Sequence, residues 1–421
     1  MSGLYSAMWT GFAHLTKILA GFIVLKLVAV YLGAEGLGSL GQLMSLITIL
    51  SLIAGGGITN GVIKYVAEYK ILPPKMLHFV SGAFSYASYF SVALLVICLF
   101  FSGPLAKVIM GDVKYFWIII LVGFAQYGFA LTNLIVGVVN GLKETRVFAI
   151  IQIVGGFLAI PVAWALIAKF GWNGAVIALC VIVVSPLLPG IMVFFKSSFK
   201  GQVKLLALRQ LPVKLLAPFS LMLFTSAVAF PVVEMVVRNY LITSEGYHQA
   251  GLWQGAIKLS SAYLGFFSMF LGYYFMPMIS EQHDKKVIAR LVFRYLAFVM
   301  LLFILGGTVL YVGRSFFLVL ALSSDFKELE ELIIYQLAGD FFRISAYVIG
   351  YVAVAKAATK LYVVAEFFQS IVFLGAVFTA SFLYNGVQGV MLGYMATYII
   401  YFIVCVVGFW IYLGKSVRRL E

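Results

Sequence analysis

The chain has 421 residues, 63% of them apolar and 10% charged, with a mean hydropathy of +1.08. A soluble domain holds roughly 45–50% apolar and about 25% charged residues, so this chain has too little polar surface to fold in water and reads as an all-α polytopic membrane protein. Three cysteines inside apolar runs (Cys98, Cys180, Cys405) and four histidines supply neither a disulfide framework nor a zinc cluster, so no metal or cofactor is expected. The net charge of +14 would suggest a nucleic-acid partner in a soluble protein; here it is judged by where the cations lie relative to a bilayer.

A spanning helix needs about 20 predominantly apolar residues. In chain order, that window predicts twelve spans near 7–32, 38–63, 79–103, 115–141, 147–168, 175–195, 215–241, 252–279, 291–313, 334–357, 361–384 and 388–413. The connections after even-numbered spans, with the C-terminus, carry 18 Lys and Arg, from Lys64, Lys70 and Lys75 to Lys415, Arg418 and Arg419. The opposite connections carry five, namely Lys107, Lys114, Lys169, Arg314 and Lys327. The basic side is cytoplasmic, which places both termini inside. No basic segment precedes the first span and Lys17 and Lys26 interrupt it, so it is expected to remain as a membrane helix rather than be cleaved.

A shift of 214 residues superposes the halves: Thr145-Arg146 on Thr359-Lys360, Gln152 on Glu366, Gln126 on Asp340 and, with a two-residue gap, Trp172-Asn173-Gly174 on Tyr384-Asn385-Gly386. Six spans is an even number, so the copies share one orientation. The expected architecture is two pseudo-symmetric six-helix bundles, 1–195 and 215–421, joined by a basic cytoplasmic linker at 196–214. That architecture suits an alternating-access transporter.

Nine ionisable groups fall within spans: Lys17, Lys26, Glu234, Arg238, Lys258, Asp340, Arg343, Lys356 and Glu366. Such groups are costly in lipid and face a lumen or a partner by default. Six are basic and three acidic, a surplus that suits an anion. Helical spacing groups Gln336, Asp340, Arg343, Tyr347 and Tyr351 on one stripe of span ten, and Gln126, Asn133, Gly137 and Asn140 on the equivalent stripe of span four. In span eight Gln254, Lys258, Ser261, Ala262 and Gly265 share a face. Lys17 and Lys26 are nine residues apart and out of phase, so Lys17 is the better lumen residue and Lys26 either faces the lumen or snorkels to headgroups.

Other readings stay open. Glu234 with Arg238, and Asp340 with Arg343, are spaced to neutralise each other within one helix. Lys356 is placed to snorkel, Glu366 to hold Lys356 or Lys360, and His14 to pack or to carry a proton. Gly389 and Gly393 form a GxxxG, a weak dimerisation signal in a chain with 40 glycines. Gly408 to Ser416 imitates a phosphate loop but has five residues between its glycines where four are needed. The segment Arg314–Leu332, rich in Asp and Glu, is expected as an external interfacial helix and turn. No arrangement of nucleophile, base and orienting acid is found, so an enzyme is not expected.

Several short stretches resemble a known family: Leu15-Thr16-Lys17-Ile18 with Lys26-Leu27, Gly57 through Ala67, Gly251-Leu252-Trp253-Gln254-Gly255, Gln336-Leu337-Ala338-Gly339-Asp340 with Ala355-Lys356-Ala357, and Met395 through Ile399. Their order and spacing are similar to those of the Wzx-type flippases of O-antigen and related lipid-linked oligosaccharides, including those that serve enterobacterial common antigen. The resemblance implies the MATE-like fold of the multidrug/oligosaccharidyl-lipid/polysaccharide exporter superfamily and a bacterial inner-membrane location. It also implies the substrate, an undecaprenyl-diphosphate-linked oligosaccharide moved from the cytoplasmic to the periplasmic leaflet. A polysaccharide polymerase and a chain-length regulator are its further expected partners. Lys17, Lys26, Arg238, Asp340 and Glu366 match charged positions of that family, whereas Glu234 and Lys258 are particular to this chain.

Residues and resemblance together nominate Lys17, Arg238, Lys258 and Arg343, with Lys26 weaker, to attract diphosphate and sugars. Asn133, Asn140, Tyr347 and Tyr351 would bond sugar hydroxyls. Asp340, with Glu366 and Glu234 as further carboxylates, would couple transport to a proton or cation by exchanging a bridge to Arg343. The alternatives are a multidrug-type export antiporter, which would favour acidic lumen residues, and a sugar permease, whose Gly-x-x-x-Asp-Arg signature is replaced here by Lys64-Tyr65-Val66-Ala67-Glu68-Tyr69-Lys70. A non-transporting polymerase is disfavoured by the short external loops.

Overall fold

The computed structural model describes residues 2–356 and 358–414; Ala357 of the matched Ala355-Lys356-Ala357 stretch and the basic Lys415, Arg418 and Arg419 lie outside the described residues. In chain order the α-helices are α1 Ser2–Ile53, α2 Thr59–Tyr69, α3 Pro73–Phe100, α4 Ser102–Met110, α5 Phe116–Gly141, α6 Thr145–Val184, α7 Leu187–Lys196, α8 Val213–Glu245, α9 Tyr247–Phe270, α10 Met276–Glu281, α11 Lys285–Val312, α12 Arg314–Ala321, α13 Leu329–Ala355, α14 Thr359–Ser381 and α15 Gly386–Gly414. Among the described residues, eight helical stretches are long and apolar enough to cross a membrane. The chain is a multi-pass membrane protein. Its helices turn apolar side chains outward, as Phe298, Leu301, Leu305, Val309 and Val312 on α11 illustrate. Only a lipid phase leaves that face without cost.

One of the apolar stretches, Trp9–Tyr69, has 61 residues. At 1.5 Å per residue that is roughly 90 Å, about three times a hydrocarbon core, so it must bend. The bend is at Gly33 (φ 65°, ψ −168°), and α6 bends likewise at Gly171 (φ 55°, ψ −126°). Gly246 (φ 88°) and Gly386 (φ 62°) sit at the starts of α9 and α15. Each of the four positions needs a left-handed backbone that a Cβ opposes.

The internal repeat extends to these boundaries. Shifted by 214, α5 covers 330–355 against 329–355 for α13, and the start of α6 falls on the start of α14. The break glycines pair as Gly33 with Gly246 and Gly171 with Gly386, shifts of 213 and 215. The gapped Trp172-Asn173-Gly174 match, a shift of 212, is therefore out of register with the helix break it adjoins.

The second membrane passage is broken in both copies, and a polar side chain repairs it each time. After Ile53 the chain runs through Gly55, Gly56 and Gly57, all at positive φ, before α2. Asn133 Nδ2 donates to the Ser51 carbonyl (2.8 Å), Gly55 N–H donates to Ser91 Oγ (3.2 Å), and Gln126 Nε2 donates to the Ser91 carbonyl (2.7 Å). In the later copy α9 ends in a π-helical turn, Leu271–Phe275, and the Tyr351 hydroxyl donates to the Ser268 carbonyl (3.0 Å). Lipid supplies no donor for a freed carbonyl, so the protein must.

The chain packs as two compact units, one of Met1–Leu32 with Gln42–Pro231, the other of Gly33–Gly41 with Val232–Glu421. In the first, residues 203–207 run extended along α3, so the stretch 196–214 is held on this unit. Its core gathers Val62, Val66, Phe79, Ala83, Val138 and Leu216. In the second, residues 33–41 lie against α9 at backbone distance: a Cβ at Gly251 would stand 1.7 Å from the Ala34 carbonyl oxygen, and one at Gly38 would stand 2.0 Å from that of Tyr247. Gly393 and Gly389 similarly meet Val377 and Ser381 of α14, so the GxxxG packs α15 on its own neighbour.

Gly251→Val places side-chain carbon where the Ala34 carbonyl stands. It is expected to destabilise the protein by about 1–3 kcal/mol or more, read as a lowered midpoint of thermal unfolding in detergent. Gly350→Ala, where nothing lies within 4 Å of the added carbon, should leave that midpoint nearly unchanged.

Candidate functional site

The first unit holds Lys17, Lys26, Asn133 and Asn140; the second holds the other eight candidate residues. On α1, Lys17 is exposed, within electrostatic reach of His14, whose ring leans on Phe148 at 5.9 Å. Lys26 is half-buried. Asn133 spends its amide on the broken helix, so its role is structural before it is anything else. Asn140 is half-buried near the end of α5.

In the second unit the structure brings the candidates together in two clusters. The first centres on Arg238, whose side chain is 0% exposed. The guanidinium donates to Gln254 Oε1 from Nε (3.1 Å) and Nη2 (2.7 Å), stands 4.0 Å from Glu234 one turn back, and lies over the Trp253 ring at 5.6 Å. Gly41 makes its room: a Cβ there would be 2.4 Å from Arg238 Nε. Lys258, one turn beyond Gln254, is within electrostatic reach of both Glu234 and Arg238. The i, i+4 pairing of Glu234 with Arg238 read from the sequence is present, and a neutral amide from α9 supplements it.

The second cluster centres on Asp340, also 0% exposed. Its carboxylate accepts from the hydroxyls of Ser260 and Tyr263 on α9, from the Tyr394 hydroxyl on α15 (2.5 Å), and from Gln336 Nε2 (3.3 Å). Arg343 was expected to bridge to Asp340 directly. It reaches Asp340 through a hydroxyl instead: Arg343 Nη1 donates to Tyr394 Oη (3.0 Å), which donates onward to Asp340, while Arg343 Nε donates to Tyr347 Oη (2.9 Å). The guanidinium also lies over the rings of Tyr347 (5.6 Å) and Tyr398 (5.0 Å). A planar cation needs such in-plane acceptors and π-faces once it leaves water.

Three expectations are redirected by their neighbours. Glu366 stands within electrostatic reach of the Tyr362 hydroxyl, one turn before it, and of Arg343. Lys356 donates to the carbonyls of Gln282 and Ser280, closing the end of α10 rather than snorkelling. Tyr351 is committed to the Ser268 carbonyl. Ser260, Tyr263, Tyr394 and Tyr398 were missed as site residues. The recurrence of Tyr394, Tyr398 and Tyr401 on one face of the last span could have found the tyrosines of α15. Gly339 lets Tyr394 in, since a Cβ there would be 2.5 Å from its ring.

Two buried polar atoms beside these clusters, Trp253 Nε1 and Gln336 Oε1, have no protein partner. Buried orphans of this kind are where water or a ligand oxygen or hydroxyl is accommodated.

The family model described as "Polysaccharide biosynthesis protein" matches residues 4–283. The lipid III flippase of Escherichia coli (strain K12) is 31% identical over 412 residues, 96% of this chain and 97% of that one. Among solved structures, the lipid II flippase MurJ in an inward closed conformation superposes with a TM-score of 0.74 at 16% identity, over 95% of this chain and 87% of that one. An inward-facing MATE family multidrug transporter of the MOP superfamily gives a TM-score of 0.68 at 15% identity, over 97% and 96%. The fold is the one these transporters share.

Tyr394→Phe keeps the ring and removes the hydroxyl shared by Asp340 and Arg343. The expected loss is about 1–3 kcal/mol of stability, the cost of a buried polar group left without its partner. Combined with Asp340→Asn, the two losses should fall short of their sum by more than about 0.5 kcal/mol in thermal or denaturant unfolding. Additive losses would mean that the hydroxyl does not link the two charges.

Proposed function

The chain belongs to the polysaccharide biosynthesis protein family, and we propose that it is a lipid-linked oligosaccharide flippase, a transporter and not an enzyme. It carries an oligosaccharide unit on undecaprenyl diphosphate from the cytoplasmic to the periplasmic leaflet of a bacterial inner membrane by alternating access. Two of the eight apolar stretches divide at a glycine, and α8 with the α9–α10 run completes twelve crossings in two six-helix halves joined through 196–214. Both termini lie on the basic, cytoplasmic side. A polymerase and its chain-length regulator receive the flipped unit.

The observation that carries this reading is how charge is divided. The first unit has 15 Lys and Arg and three carboxylates, Glu68, Asp112 and Glu144, all at the ends of helices or in the turns between them; no acidic residue shares the first membrane passage with Lys17 and Lys26. In the spans of the second unit, Arg238, Lys258 and Arg343 stand with Glu234, Asp340 and Glu366. The surplus of positive charge over the spans thus lies at Lys17 and Lys26, with Lys356 at the end of α13. A diphosphate needs compensating charge to leave water, whereas its polyprenyl tail can stay in lipid. Lys17 draws the diphosphate, with Lys26 and Lys258 as further cations. In the second unit Arg343, held by tyrosine hydroxyls, and Tyr347 meet sugar and phosphate oxygens; in the first, Asn140 offers them an amide. Protonation or release of Asp340 would act on Arg343 through Tyr394, which is the proposed route of coupling.

The test is leaflet exchange of a labelled undecaprenyl-diphosphate oligosaccharide in proteoliposomes. The wild-type protein should accelerate exchange. Lys17→Ala should slow it roughly tenfold, which corresponds to about 1.4 kcal/mol, and Lys17→Arg should restore most of the rate. Exchange no faster than in protein-free vesicles would overturn the reading.

A further inference from the structure

The stretch from Lys196 to Lys214 contains Lys196, Lys200, Lys204, Arg209 and Lys214 and no acidic residue. All five basic side chains are exposed. It is fastened in place. Ser81 and Ser85, one turn apart on α3, accept from the backbone N–H of Lys204 (3.3 Å) and of Leu206 (2.7 Å), and the Tyr89 hydroxyl one turn on donates to the Leu206 carbonyl (3.1 Å). Pro212 closes on Gly82, where a Cβ would be 2.7 Å from its Cδ. Phe199 is buried in the core of the first unit and Val203 packs against it.

The fastening decides which side chains face out. Val203 and Leu206 turn toward the unit, whereas Lys204, Leu205, Ala207, Leu208 and Arg209 turn away, with Leu205 and Leu208 58% and 66% exposed. Two leucines held outward among fixed cations gain nothing from water. The segment lies between the ends of two long apolar helical runs, α6–α7 and α8. Apolar anchors flanked by Lys and Arg at that place are the chemistry of a bilayer surface rather than of a soluble acidic protein, which would satisfy the cations and leave the leucines wet. We infer that residues 196–214 form a strap that binds anionic phospholipid headgroups, with Leu205 and Leu208 seated at the acyl boundary and Lys200, Lys204 and Arg209 on phosphates. Because α3 already orders the backbone, binding gives up little further conformational freedom.

The full-length protein with Leu208→Trp, reconstituted in vesicles, tests this without any transport substrate, so its outcome is separate from that of the flippase reading. Its added fluorescence, taken against the parent protein, is measured with brominated phosphatidylglycerol and with brominated phosphatidylcholine. At low salt the anionic lipid should quench at least twofold more strongly. Lys200→Gln, Lys204→Gln and Arg209→Gln together, or high ionic strength, should remove that preference while leaving quenching by the neutral lipid. Equal quenching by both lipids in the charged protein, or a preference that survives the triple substitution, would overturn the proposal. Absence of quenching by either lipid would also overturn it, because the strap would then stand in water.

Discussion

Inside a bilayer there is no water to take a stray hydrogen bond, so every polar group that enters must bring its partner with it. The broken second passage, the two charged clusters and the tyrosines around them all follow from that one constraint. Where the chain unwinds at Gly55–Gly57, Asn133 and Ser91 arrive from other helices to take freed backbone groups, and Gln126 holds the Ser91 carbonyl. Where it loosens again at Leu271–Phe275, the Tyr351 hydroxyl adds a bond to the Ser268 carbonyl, which also accepts from the Leu271 N–H. Two chemically different residues at nearby positions of the repeat solve the same problem, which points to the break, rather than the residue, as the persistent feature.

The charged clusters answer the constraint in a particular way. Asp340 is surrounded by hydroxyls and an amide, and Arg343 by hydroxyls and rings. Neither is locked in a direct pair with the other. A tyrosine hydroxyl between a carboxylate and a guanidinium can adjust its bonds to either neighbour without separating two opposite charges in low dielectric, a step that would be costly. Arg238 shows the contrasting solution, with Glu234 one turn away and Gln254 gripping two of its nitrogens. One guanidinium is gripped directly by an amide, the other is linked to its carboxylate through a hydroxyl.

The first unit has its three carboxylates at helix ends and turns, where Asp112 pairs with Lys114. Its polar stripe on α5 is neutral, with Asn133 bonding the broken helix and Gln126 the Ser91 carbonyl of α3, and the sequence places no acidic residue on the passage that carries Lys17 and Lys26. The two halves therefore differ in charge although α5 and α13, and the starts of α6 and α14, coincide under the 214-residue shift.

Composition determined that the chain lives in lipid, because 63% apolar content leaves no other solvent for its surface, and apolar runs of about 20 residues made it helical. The apolar window located the spans and the 214-residue shift the repeat, and the pairing of Glu234 with Arg238 was legible because it lies within one helix, where spacing fixes geometry. What the sequence could not decide was every contact between helices. That Asp340 meets Ser260, Tyr263 and Tyr394 rather than Arg343, that Asn133 and Tyr351 serve backbone carbonyls, that Lys356 closes α10, and that residues 33–41 group with the second unit all depend on which helix lies beside which. Side-chain spacing along one helix carries no record of its neighbour's position. Only packing, through close approaches such as that of Gly251 to Ala34, sets those partners.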